Sequence, residues 1–199
     1  LFAQVTNPPL DAIREELVTS TYTYIGREGN LLDEIPDAAH LIKLKSPIIS
    51  NTDLEKLREV AVGKLRAVTL EMLFQVSEGE AGLQRALEEL MERAACAVKE
   101  GVSILILSDR GVDAGNAPIP SLLATAAVHH HLIREGTRTQ CGLVIETGEA
   151  RETHHFCLLI GYGAGAVNPY LSFETLADLY QDGLLPNLKL EKAQYNYIK

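Results

Sequence analysis

Apolar positions change their spacing along this chain, and the changes mark out its elements. Residues 79–101, "GEAGLQRALEELMERAACAVKEG", repeat apolar side chains at Leu83, Ala86/Leu87, Leu90/Met91 and Ala94. That is the spacing of one helix face, and Gly101 stands where such a helix stops. Residues 102–109, "VSILILSD", are almost continuously apolar, as a strand covered on both faces is. Residues 119–136 return to helical spacing, with Pro120 near the start and Gly136 at the end. Residues 141–147, "CGLVIET", read as a second buried strand, and 66–76, "RAVTLEMLFQV", as an earlier one. Strands alternating with helices predict βαβ units and a mostly parallel sheet.

Residues 157–171, "CLLIGYGAGAVNPYL", hold the ambiguous stretch. Gly161 to Ala166 fit G-x-G-x-x-A, a dinucleotide-binding fingerprint, but that motif needs a strand before the glycines and a helix opening on them. Asn168-Pro169 stands where that helix would run, and proline is excluded from a helix interior. The better reading makes 151–160 a helix, Gly161 or Gly163 its end, and "AGAVNPY" a short strand. A last helix over "SFETLADLYQDG" is capped by Ser172 and ended by Gly183.

The first third lacks this rhythm. Asp11 caps a helix after Asn-Pro-Pro, "IGREGNLLDEIPDAAH" reads as a loop, and "HLIKLKS" alternates like a half-buried strand. "SNTDLEKLREV" starts a helix at Ser50, Asn51 or Thr52, with Glu55 completing a capping box from Thr52. The expected fold is α/β: mostly parallel β/α units resembling a partial (β/α)8 barrel or a doubly wound sheet over 66–199, with an irregular N-terminal α+β segment over 1–65. The two form a single domain fragment. Leu1 at the start and a helical pattern still running at "KLEKAQYNYIK" predict a piece of a longer protein.

Composition narrows the function classes. A formal net charge of −9 argues against a phosphate-backbone binder, so no nucleic acid partner is expected. No apolar run reaches the roughly 18 residues of a membrane span. Three scattered cysteines, Cys96, Cys141 and Cys157, read as free and mostly buried thiols of a reducing compartment. His129, His130 and His131 point about 100° apart on a helix and cannot share one metal. His131 and Glu135 do share a face, and read as an ordinary solvated pair. One of His154 and His155 is expected to face the core.

In a parallel α/β fold, chemistry sits beyond the C-terminal ends of the strands. Asp109 and Arg110 follow one strand, Glu146 ends the next, and Asn168 follows the last. Two carboxylates, a guanidinium and an amide at one rim suit either a polar ligand or structural and interdomain contacts, the latter being the commoner use. No phosphate loop of the G-x-x-x-x-G-K-[ST] kind, no G-x-S-x-G and no recognisable nucleophile motif accompanies them. No catalytic residue is assigned.

Five segments, "FAQVTNPPLDAIREELV" (2–18), "TYIGREGNLL" (23–32), "SPIISNTDLEKLR" (46–58), "ILILSDRG" (104–111) and "RETHHFCLLIGYGAGAVNPYL" (151–171), resemble, in order, the central domain of the glutamate synthase large subunit. Gly165 departs from the pattern, since relatives often carry an acidic or polar residue there. The resemblance implies a non-catalytic domain linking a glutaminase domain to an FMN-binding synthase domain of the same polypeptide. Those neighbours, cytoplasmic or plastid, would make glutamate from glutamine and 2-oxoglutarate. It implies no cofactor in this chain, with FMN and the iron–sulfur cluster held elsewhere in the parent. The alternative is an independent α/β domain for a phosphate-containing cofactor, held at the Asp109–Arg110 and Glu146 rim or at Gly161–Ala166.

Overall fold

The structure, a computed structural model, describes residues 19–30, 32–33 and 35–199. The helix expected after Asp11 lies outside the described residues. An antiparallel ribbon comes first, β1 (Thr23–Ile25) against β2 (Ile42–Leu44), joined by the loop expected there, which contains one short 3-10 turn at Pro36–Ala39. Helix α1 (Asn51–Arg58) follows. Its cap differs in one detail from the reading above. Ser50 is the N-cap and accepts from the Asp53 amide at 3.1 Å, while its hydroxyl donates to the Asp53 carboxylate at 2.8 Å. Asp53 therefore takes the partner role expected of Glu55, which instead accepts from Arg58 at 3.0 Å.

A short hairpin, β3 (Ala61–Val62), leads into β4 (Leu65–Glu71). The strand expected over 66–76 does not run through. It breaks at Met72, which is fully buried and bonded to both neighbours: its amide donates to Ser108 O and its carbonyl accepts from Ile119 N. Beyond the break, β5 (Leu73–Gln75) leaves the sheet to pair with β7 (Asn116–Pro118). One apolar run thus serves two sheets, a division that alternation alone does not reveal.

Helix α2 (Gly79–Lys99), strand β6 (Ile104–Ser108), helix α3 (Ser121–Arg134) and strand β8 (Gly142–Glu146) fall within the predicted segments. Helix α4 (Thr153–Gly161) precedes the glycines, and β9 (Ala166–Asn168) follows them. This is the reverse of the dinucleotide order. Gly163 ends α4 with a positive φ of 112°, its amide donating to Ile160 O at 3.0 Å. A side chain there is excluded twice over, since a Cβ would meet His129 Nδ1 at 2.1 Å. Helix α5 (Tyr170–Gln181) starts two residues before the expected cap. Ser172 lies inside it and donates to Ala150 O at 3.1 Å, so it ties the helix to the β8–α4 loop rather than starting it. Helix α6 (Leu190–Ile198) packs back on α5 and α4, its Tyr197 ring edge-on to Phe156 and Phe173.

Strands β4, β6, β8 and β9 are parallel and lie in sequence order. They lack the reversal of order that a doubly wound sheet shows. Alternation sends Leu105, Leu107, Leu143 and Ile145 to one face, under α2, α3 and α4. Ile104, Ile106, Val144 and Ala166 go to the other, where Ile25, Ile49, Leu54 and Leu57 of the N-terminal segment fill the space. The described residues form an open, mostly parallel sheet, with helices on one face and the N-terminal segment already filling the other, the inner face. Beyond β9, Val167 donates to Pro47 O at 2.7 Å and accepts from Ile49 N at 3.0 Å. No helix among the described residues is long and apolar enough to cross a membrane.

Candidate functional site

The register places Glu71, Ser108, Glu146 and Asn168 in one row across the C-terminal end of the sheet. Ser108, Glu146 and Asn168 project to the inner face, two residues beyond Ile106, Val144 and Ala166. Asp109 and Thr147, one step on, turn toward the helices.

Glu146 is the centre of the row and is completely buried. It accepts from the Ser108 hydroxyl, from Arg58 at the end of α1, and from Arg110 Nε at 2.6 Å. Burial pushes its carboxyl up, but the Ser108 hydroxyl and the two guanidiniums outweigh that and hold it below the ordinary carboxylate value. An ionised carboxylate buried between two cations satisfies the pairing rule for interior charge. Arg58 also donates to Thr69 Oγ1 at 2.6 Å. Arg110 donates to Glu174 at 3.1 Å and stacks on the Tyr170 ring at 4.0 Å.

Asp109 is buried as well, and accepts from Thr147 Oγ1 at 2.6 Å and the Gly148 amide at 3.0 Å. Burial holds its carboxyl above the usual value despite these bonds and a further one from Tyr170. The Tyr170 hydroxyl is pushed up in turn by burial and by the neighbouring Asp109. Asn168 donates to Ile49 O at 3.0 Å and to Asn51 Oδ1 at 2.9 Å. Its own Oδ1 is the one buried side-chain oxygen or nitrogen without a partner among the described residues.

The four residues expected at the rim are thus all there. Arg110 and Glu146 touch, Asp109 adjoins them, and Asn168 shares the row while gripping the N-terminal segment. Sequence reasoning missed Arg58, Tyr170 and Glu174. Arg58 carried a signal: it lies four residues after Leu54 and shares that buried residue's helix face. Nearby, Glu149 accepts from the Ser121 amide at 2.7 Å and the Ser121 hydroxyl at 2.6 Å. The positive end of α3 is already met by the chain's own carboxylate.

Two expectations are corrected away from the rim. Cys96 and Cys157 are exposed, and only Cys141 is buried. Burial pushes the Cys141 thiol up to about 11, which makes it inert. Neither histidine of the 154–155 pair faces the core: His154 is exposed, and His155 Nδ1 accepts from the Arg151 and Glu152 amides at the start of α4. Glu135 pairs with Lys99 at 3.1 Å, across to α2. Among the described residues, no group of three His, Cys, Asp or Glu is placed to hold a metal ion.

A family model described as "Glutamate synthase central domain" matches residues 1–199. The chain is 45% identical over 199 residues to the glutamate synthase [NADPH] large chain of Bacillus subtilis, covering all of this chain and 13% of that protein. It is 42% identical over 209 residues to the ferredoxin-dependent glutamate synthase of Pyropia yezoensis, again all of this chain and 13% of the relative. It is 43% identical over 190 residues to the glutamate synthase [NADH] of Saccharomyces cerevisiae, 94% of this chain and 9% of the relative.

Proposed function

The chain belongs to the glutamate synthase central domain family, and from that premise we propose that it is a non-catalytic spacer. In this reading it links a glutaminase domain to an FMN-binding synthase domain of one polypeptide, cytoplasmic or plastid, that makes glutamate from glutamine and 2-oxoglutarate. The observation that carries the reading is the closed rim. Where a parallel α/β fold presents its chemistry, the charged groups of this chain are consumed by one another: Glu146 by Arg58 and Arg110, Asp109 by Thr147 and Gly148, Arg110 by Glu174 and Tyr170.

FMN does not fit the described residues. Ile25, Ile49, Leu54 and Leu57 fill the inner face where an aromatic cofactor would lie. The helix end best suited to a phosphate carries the Glu149 carboxylate, which repels one. In this reading the flavin and the iron–sulfur cluster belong to the parent's other domain. Near-equal identity to relatives named for NADPH, ferredoxin and NADH supports a part that does not read the electron donor.

The rival reading, a domain for a phosphate-containing cofactor at the same rim, would need the Arg110 guanidinium to turn from Glu146 and Glu174 to the ligand. Titration of the 199-residue chain with FMN and, in parallel, NAD(P), followed by flavin fluorescence and equilibrium dialysis, separates the two. A spacer shows no saturable binding at about 1 mM, weaker than about −4 kcal/mol. Saturable binding that Arg110→Ala weakens overturns the spacer and establishes the rival.

A further inference from the structure

A cleft of about 430 Å³ opens beside the rim, between the start of α3 and the side of α4. Leu122, Ala150, Leu158 and Leu159 line its apolar part. Leu171 adds an apolar edge close to Gly148, and is 46% exposed. Arg151, His155 and the Glu149 carboxylate held by Ser121 form its polar side, and the Arg151 guanidinium has no partner among the described residues. An unfilled apolar trough beside an unpaired cation is a surface awaiting a cover.

The last residues of the chain are anchored at this trough. Tyr197 donates to Arg151 O at 2.9 Å, and its ring is clamped between Phe156 and Phe173. Lys199 follows two residues later. This chain amounts to 13% of the Bacillus subtilis relative, so most of such a polypeptide lies outside it. A segment continuing from Lys199 is tethered within a few residues of the trough. Tethering of that kind supplies an effective concentration of about millimolar.

We propose that the cleft is the seat of the segment following the position of Lys199 in the full-length large chain. That segment lowers apolar side chains onto Leu122, Leu158 and Leu159 and sets a carboxylate against Arg151. The proposal rests on the reading of this chain as an internal domain of glutamate synthase. About 20 further residues reach some 30 Å even as a helix, enough to cross the cleft.

The test uses the full-length large chain with a photo-crosslinking phenylalanine analogue at Leu158 and, as a control, at the exposed Glu88. The expected product joins position 158 to a peptide within about 20 residues of Lys199, the reach given above. A crosslink to any other stretch, or a yield no greater than at Glu88, overturns the seat. Neither result touches the spacer reading, which the FMN titration decides. In the same protein Leu158→Arg is expected to speed proteolysis of the following segment about tenfold, equivalent to about 1.4 kcal/mol of lost docking, with flavin content unchanged. An unchanged cleavage rate also overturns the proposal.

Discussion

The two faces of the parallel sheet are built on different terms. The helix-covered face is apolar along its strands, Leu105 and Leu107 beside Leu143 and Ile145, and nothing there depends on a particular partner's charge. The inner face starts apolar and turns polar at its last row, where Ser108, Glu146 and Asn168 meet Arg58, Arg110 and Asn51. One face gains stability from area. The other gains address: the buried carboxylate and amide accept only an N-terminal segment carrying Arg58 and Asn51 at the right places. A purely apolar inner face would let that segment slide.

The contrast can be broken from either side. Leu105→Ala on the helix side should cost most, about 3–4 kcal/mol, because a fully buried leucine leaves a cavity. Urea melts read it, and the loss should be global, with all helices unfolding together. Glu146→Gln should cost less, about 2 kcal/mol. It strands two guanidiniums, but Arg58 and Arg110 keep 23% and 42% of their side chains in solvent, so the loss falls short of the ~3–5 kcal/mol of a fully buried pair. Its signature should be local, with faster amide exchange across 51–58 than across α2. If both variants loosen the same amides equally, the two faces are not distinct.

pH sharpens the same comparison. Glu146 has its folded value depressed below 4.5, so its contribution is present above that value and is lost as pH falls through the folded one. Asp109 has its folded value raised above 3.8, so its contribution has the opposite sign: full below 3.8 and lost as pH rises through the folded one. Stability measured from pH 7 down to pH 3 should fall less steeply in Glu146→Gln than in the parent. Asp109→Asn should leave that acid limb at least as steep. Smaller effects follow outward. Ser50→Ala should cost about 1 kcal/mol through the lost cap of α1. Arg85→Ala, breaking the exposed pair with Glu78, should cost about 0.5 kcal/mol or less and vanish at high salt.

The same division governs what could be read from the residues. The helix-covered face was legible, because α2, α3, β6 and β8 advertise themselves by spacing within a dozen residues. The end of α4 was legible because Pro169 forbids the competing helix. The break at Met72 was not, since the reason β5 leaves lies with β7, some 40 residues away. The start of α5 was misread because Ser172 looks like a cap while its hydroxyl is engaged by Ala150 O. At the rim, strand ends pointed to Asp109, Arg110, Glu146 and Asn168. The partners that decide their use come from 88 residues away in Arg58 and 64 in Glu174, and no local pattern carries that.

The bond from Asn168 to Ile49 joins positions 119 residues apart. The first-made part of this stretch therefore finds its place against the last-made strand. At about 5–20 residues per second, roughly 6–24 s of synthesis separate the two. Through that interval Ile49, Leu54 and Leu57 have no sheet complete enough to receive them. The order of manufacture runs against the order of assembly, and the apolar face of the N-terminal segment stays uncovered until its sheet has been made.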